Sequence, residues 1–86
     1  MPLASQEHIS ATLYAEIKLF CKNLINAHYF EEANWVWMAT SAPDLSLASP
    51  VGRAALYAAR QIAWEFASRN VAEWISVLLQ RSAIPK

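Results

Sequence analysis

Apolar residues recur along the first third of the chain at spacings that only a helix brings together. Ile9, Leu13, Ile17, Phe20, Leu24 and Ala27 follow one another in steps of four and three, which aligns them as one stripe. Ala11, Ala15, Lys18, Lys22 and Asn26 fall on the opposite side as a solvated face, with the two lysines one turn apart. The pattern predicts a helix over 6–26, capped by Ser5 and with Glu7 in its first turn opposing the dipole. The apolar phase shifts at 26–29, NAHY, where a turn is expected with Asn26 as the residue that tolerates the left-handed conformation.

The next stretch, FEEANWVWM at 30–38, is unusually apolar for a surface helix. Glu31 and Glu32 suit a first helical turn, and the element should end before Pro43, giving a helix over 30–41. Phe30, Ala33 and Trp37 share a stripe that reads as its core face, while Asn34, Trp35 and Met38 point elsewhere. Trp35 and Trp37 are two residues apart, about 200° around a helix, so one of them should face outward. Ile17, Phe20, Cys21 and Leu24 followed by Phe30, Ala33 and Trp37 look like one tetratricopeptide-type helix pair. A single copy of a motif that works in arrays implies packing geometry and nothing more.

The segment 40–50, TSAPDLSLASP, is polar and carries two prolines. It reads as a linker, centred on 42–49, with Leu45 and Leu47 anchoring it to the core. Ser49 before Pro50 is a strong helix start, and the alanine-rich sequence beyond it predicts a helix over 50–68. Its core stripe is expected at Ala55, Ala59, Ile62 and Phe66. Two readings compete after that. Asn70 and Glu73 form a capping box for a fourth helix over 71–81, whereas Ala63, Ala67, Val71, Trp74 and Leu78 make a stripe that would also suit one long helix. The capping box favours four helices. The expected fold is therefore all-α, a single small bundle of three or four helices built as two hairpins joined by the Pro/Ser linker.

Composition adds a demand for partners. Hydrophobic residues make up 56% of the 86 residues and charged ones only 16%, against a usual 45–50% and about 25%. Sixteen alanines account for part of that surplus. They do not account for four Trp, three Tyr and three Phe, which with a depletion of charge is the make-up of an interface. Self-association, most simply a homodimer, or a protein partner is expected. Arg53, Tyr57, Arg60 and Trp64, flanked by Gln61, lie on one face of the third helix at steps of four, three and four, and Arg with aromatics is the usual chemistry of binding hot spots. Trp35, Trp37, Met38, Arg53, Tyr57, Arg60 and Trp64 are the candidate partner-binding residues.

Other chemistries find little support in the residues. Seven basic and seven acidic residues give zero net charge without a basic patch, so the electrostatic attraction behind most nucleic-acid binding is missing. Cys21 and His28 would need an orienting group and an oxyanion hole to act as nucleophile and base, and the chain has one glycine, Gly52; a buried cysteine used for packing is the simpler reading. His28, Glu31 and Glu32 fall short of a metal site, which takes three or four ligands held together. No catalytic residue, metal, cofactor or small-molecule substrate is expected. The longest uninterrupted apolar run, 54–59, is far too short to cross a membrane, the stretch MPLASQEH has no signal-peptide pattern, and a lone cysteine suits a reducing compartment. A cytoplasmic protein is expected.

Two further resemblances bear on function. Residues 61–78 are faintly similar to a helix-turn-helix, but the turn has no glycine and Glu73 and Trp74 stand where a recognition helix would meet DNA. Phe30, Ala33 and Trp37 resemble the aromatic, Ala, Trp pattern that opens a helix in the small PerC and AraC-negative-regulator families of enteric bacteria. Glu31 and Glu32 replace the basic residues of that pattern, so the resemblance implies no functional residue here. It does place a transcription-related regulator, binding DNA as a dimer through Arg53, Arg60, Arg69 and Arg81, beside the leading expectation. That expectation is a non-enzymatic interaction module that regulates or inhibits a larger protein.

Overall fold

The computed structural model describes residues 9–82. Five helices follow one another there: α1 (Ala11–Asn26), α2 (Phe30–Ser41), α3 (Pro43–Ala48), α4 (Pro50–Phe66) and α5 (Arg69–Ser82). The protein is all-α, two helical hairpins, α1/α2 and α4/α5, bridged by the short α3. α1 packs on α2, α2 on α4, α4 on α5 and α5 back on α1, so the four long helices close a cycle, and α3 leans on α2, α4 and α5. The centre is filled by Ile17, Leu24, Val36, Leu56, Val71 and Ile75, each essentially inaccessible to water.

α1 starts later than its apolar stripe suggests. Ser10 is the cap, its Oγ accepting from the Leu13 N–H at 3.0 Å, and residues 9 and 10 are not helical; Ser5 and Glu7 lie outside the described residues. The stripe itself serves as expected through Ile17, Phe20 and Leu24, with Ile9 and Leu13 half-buried against the core. The turn falls where the pattern breaks, but Asn26 is not its left-handed residue. His28 is, with φ 70°. The Tyr29 N–H reaches the Leu24 carbonyl at 2.8 Å and the His28 N–H reaches Ile25 at 2.9 Å, the paired bonds of a Schellman motif.

The core face of α2 is Ala33, Val36 and Ala39. Phe30 and Trp37, expected inside, are 60% and 40% exposed, while Trp35 and Met38 are half-buried. The reason is size. α2 sits between α1 and α4, and alanine at the crossing points lets backbones approach, which pushes bulky rings to the flanks.

The expected linker is helical over Pro43–Ala48, with Pro43 in the first turn where its missing N–H costs nothing. Leu47 is buried as expected, but Leu45 points outward and Ser46, fully buried, takes the inner place. A six-residue helix buries residues three and four apart, not alternate ones. α4 begins as expected, the Ser49 Oγ accepting from the Gly52 N–H at 3.2 Å. Its buried stripe is Gly52, Ala55, Leu56, Ala59 and Ala63; Ile62 is half-buried and Phe66, expected in the core, is 80% exposed. Small residues again mark the faces where helices meet.

The chain does break between the last two helices, at Ala67 and Ser68. Ser68, not Asn70, satisfies the new helix: its Oγ accepts from the Val71 N–H at 3.2 Å and donates to Glu16 Oε1 at 2.8 Å. Glu73 is exposed. α5 therefore starts at Arg69, two residues earlier than the capping-box pattern implies. Among the described residues no helix is long and apolar enough to cross a membrane.

Candidate functional site

α1 and α2 run antiparallel around the His28 turn and leave an open groove of about 510 Å³ along their outer seam. Its floor is Cys21 and Ala33, both buried. The α1 wall carries Lys18, Lys22 and Ile25, and the α2 wall carries Phe30, Asn34 and Trp37. These positions follow from helix geometry. Lys18, Lys22 and Ile25 are spaced four and three, as are Phe30, Asn34 and Trp37, so each set forms one ridge beside the seam.

Aromatic contacts fix both ends. Trp37 meets Tyr14 of α1 with ring centroids 5.4 Å apart and planes tilted by 49°, and Phe30 stacks on His28 at 5.6 Å. Phe30 and Trp37 are thus each held by a neighbouring ring, which restricts their rotamers. Among the described residues Lys18 and Lys22 are the only charged groups lining the groove; both are exposed, and neither makes an ion pair with a carboxylate of the described residues.

Cys21 is a poor nucleophile. Burial pushes its thiol up from about 9 to about 11, so near pH 7 it is almost wholly protonated. Its Sγ makes a long contact, 3.8 Å, to the Ala33 carbonyl. His28 lies against Phe30. Among the described residues no group of three His, Cys, Asp or Glu side chains could hold a metal ion.

The seven candidate residues separate into three places. Trp37 lines the α1/α2 groove. Trp35 turns the other way, half-buried against Gly52 of α4, and Met38 is half-buried beside it on the same side of α2. The remaining four are on α4. Arg60 stacks its guanidinium over Tyr57, 5.7 Å from the ring centroid, and reaches Ser76 of α5 at 3.5 Å. Tyr57 and Trp64 are exposed and Arg53 is half-buried. Arg69 of α5 covers Trp64, 5.5 Å from its centroid. Two cation–π pairs therefore run along the α4/α5 face, each within the roughly 6 Å over which such attraction is felt.

Of the arginines considered for DNA binding, Arg60 and Arg69 lie on aromatic rings, and Arg81 faces Asp44 of α3 at 3.9 Å. Sequence reasoning missed Ile25 and Phe30 as groove residues and Lys18 and Lys22 as its rim. A signal existed, since Ile25 lies off the α1 stripe and Phe30 opens α2 just across the turn. What lacked a signal was which side of the α1/α2 seam stays uncovered.

No family model, curated protein or solved structure matches this chain.

Proposed function

We propose that this chain is a non-enzymatic protein-interaction module, a small regulator or inhibitor that docks on a larger protein through the α1/α2 groove. The observation that carries this reading is the exposure of Phe30 and Trp37 on the walls of an apolar cleft. A small domain has every reason to bury its largest rings. Seven aromatic side chains of the described residues are nevertheless exposed, and of these Phe30 and Trp37, at 60% and 40%, share one cleft and are held in place by His28 and Tyr14, which is the arrangement of a preformed hot spot. Tyr57 and Trp64 with their arginines offer a second, smaller contact face on α4. A cytoplasmic setting suits the single buried thiol of Cys21.

Site-specific photo-crosslinking tests the reading. A crosslinking residue placed at Phe30 or Asn34 should trap one recurring protein, and the same residue at exposed Asn23 on the far side of α1 should not. Trp37→Ala should weaken that association by about 2 kcal/mol without changing the helical circular dichroism. Equal trapping from Phe30 and Asn23, or a Trp37→Ala variant that binds as well as the parent, would reject the groove as the docking site. Light scattering across concentration separates the alternative in which the same surface joins two copies of this chain.

A further inference from the structure

We infer that the α1/α2 groove receives an acidic amphipathic helix from its partner, with apolar residues inside the cleft and carboxylates over Lys18 and Lys22. The inference rests on the interaction-module reading and names the chemistry of the occupant.

The dimensions select a helix. From Lys18 to Asn26 the groove follows eight residues of α1, about 12 Å at 1.5 Å per residue. That is roughly two helical turns. A helix laid along the seam presents side chains at i, i+3 or i+4, and i+7 over the same distance, enough to meet Trp37 at one end, the small floor of Cys21 and Ala33 in the middle, and Phe30 with Ile25 at the other. The middle of the cleft also matters. Cys21 and Ala33 are small, so the cleft floor between the two rings can take a Leu-sized side chain.

The charge selects its sign. Lys18 and Lys22 lie one turn apart on one wall and, among the described residues, are the only charged groups along the cleft. The facing wall offers Asn34, uncharged. A partner helix with Asp or Glu at i and i+4 on the flank toward α1 would match both ammonium groups in register, because the two helices share the same rise. A basic helix would meet the same two lysines as repulsion. A second copy of this chain and an uncharged extended peptide are the other possible occupants, and the test separates them.

Selection from an unbiased display library of 15-residue peptides provides the test, with the intact chain as bait and a Phe30→Ala/Trp37→Ala double variant as counter-selection. Enriched sequences should show apolar residues at i, i+3 or i+4, and i+7 with Asp or Glu one turn apart on a single flank. A synthetic copy of the winner should gain helicity on binding and lose affinity as salt rises. Lys18→Glu/Lys22→Glu should weaken it on the order of ten-fold or more, and should restore binding to a copy in which the acids are replaced by Lys. Enrichment of basic or extended sequences, no enrichment, or affinity unchanged by the charge reversal overturns the inference. So does a dimer that Trp37→Ala dissociates, since the groove would then belong to a second copy. If photo-crosslinking at Phe30 still traps a partner in any of those cases, the docking site stands and only the acidic helix is lost.

Discussion

Gly52 and Trp35 occupy each other's space. A Cβ built on Gly52 would sit 2.8 Å from Cε3 of the Trp35 ring and run into the Ser46 carbonyl oxygen. The chain's one glycine is thus a point where α4 has no room for a side chain between the Trp35 ring of α2 and the backbone of α3. The contact is reinforced by Ser46, fully buried, whose Oγ donates to the Trp35 carbonyl at 3.3 Å. Gly52→Ala should therefore destabilise the protein, although alanine is the better helix former by up to about 1 kcal/mol. Overpacking against backbone costs about 1–3 kcal/mol, and a carbonyl cannot swing aside as a side chain can. A net loss of about 2 kcal/mol in urea denaturation is expected; a gain would mean that α3 moves freely away.

Ser68 holds the second half of the chain to the first. It caps α5 through the Val71 N–H and donates to Glu16 of α1. Ser68→Ala removes both bonds and should cost about 1–2 kcal/mol. Asn70→Ala is the control: Asn70 is exposed inside the first turn, and its loss should be close to neutral. The reverse ranking would return the capping role to Asn70 and Glu73.

The turn between α1 and α2 carries a removable strain. His28 adopts φ 70°, a region that costs a non-glycine residue about 1–2 kcal/mol. His28→Gly should raise the thermal midpoint by relieving it, partly offset by the lost stacking on Phe30 and the greater freedom of glycine in the unfolded chain. A net gain of about 0.5 kcal/mol is expected. A lowered midpoint would show that the His28–Phe30 stack outweighs the backbone strain.

Cys21 should behave as a slow thiol with an alkaline signature. With its folded value pushed up to about 11 from about 9, the folded state retains the proton while the unfolded state releases it. Stability from this group is therefore complete below pH 9 and is lost as pH rises toward 11. Cys21→Ala should remove that part of the alkaline decline, seen as a flatter stability curve than the parent's over this window. Alkylation of the parent at pH 8 should be slow and should accelerate in denaturant. Rapid native alkylation would place the thiol in water.

The local rules of helix formation made much of the fold readable. The 30–41 helix, the Ser49–Pro50 start and the turn at 26–29 all depend on neighbours in the chain, through capping, proline geometry and a phase shift in the apolar stripe. The side of α1 that turns inward was readable too, because Ile17, Phe20 and Leu24 belong to its most continuous apolar stripe. Where two faces were plausible, the pattern misled. It put Phe30, Trp37 and Phe66 inside by hydrophobicity; of the expected α2 stripe only Ala33 is buried, and Val36, Ala39 and Ala63 fill the places the rings were given.

That inversion is a tertiary matter. Which side of α2 meets α4 is decided by how the two surfaces fit, and Gly52 leaves the room that the Trp35 ring takes up there. Sequence alone determined that the chain is helical, that it forms two hairpins, and that it carries more aromatic surface than its size can hide. Only the packed structure decided which rings stay outside, because burial is shared among helices far apart in sequence, and so it alone placed Phe30 and Trp37 across a groove from Lys18 and Lys22.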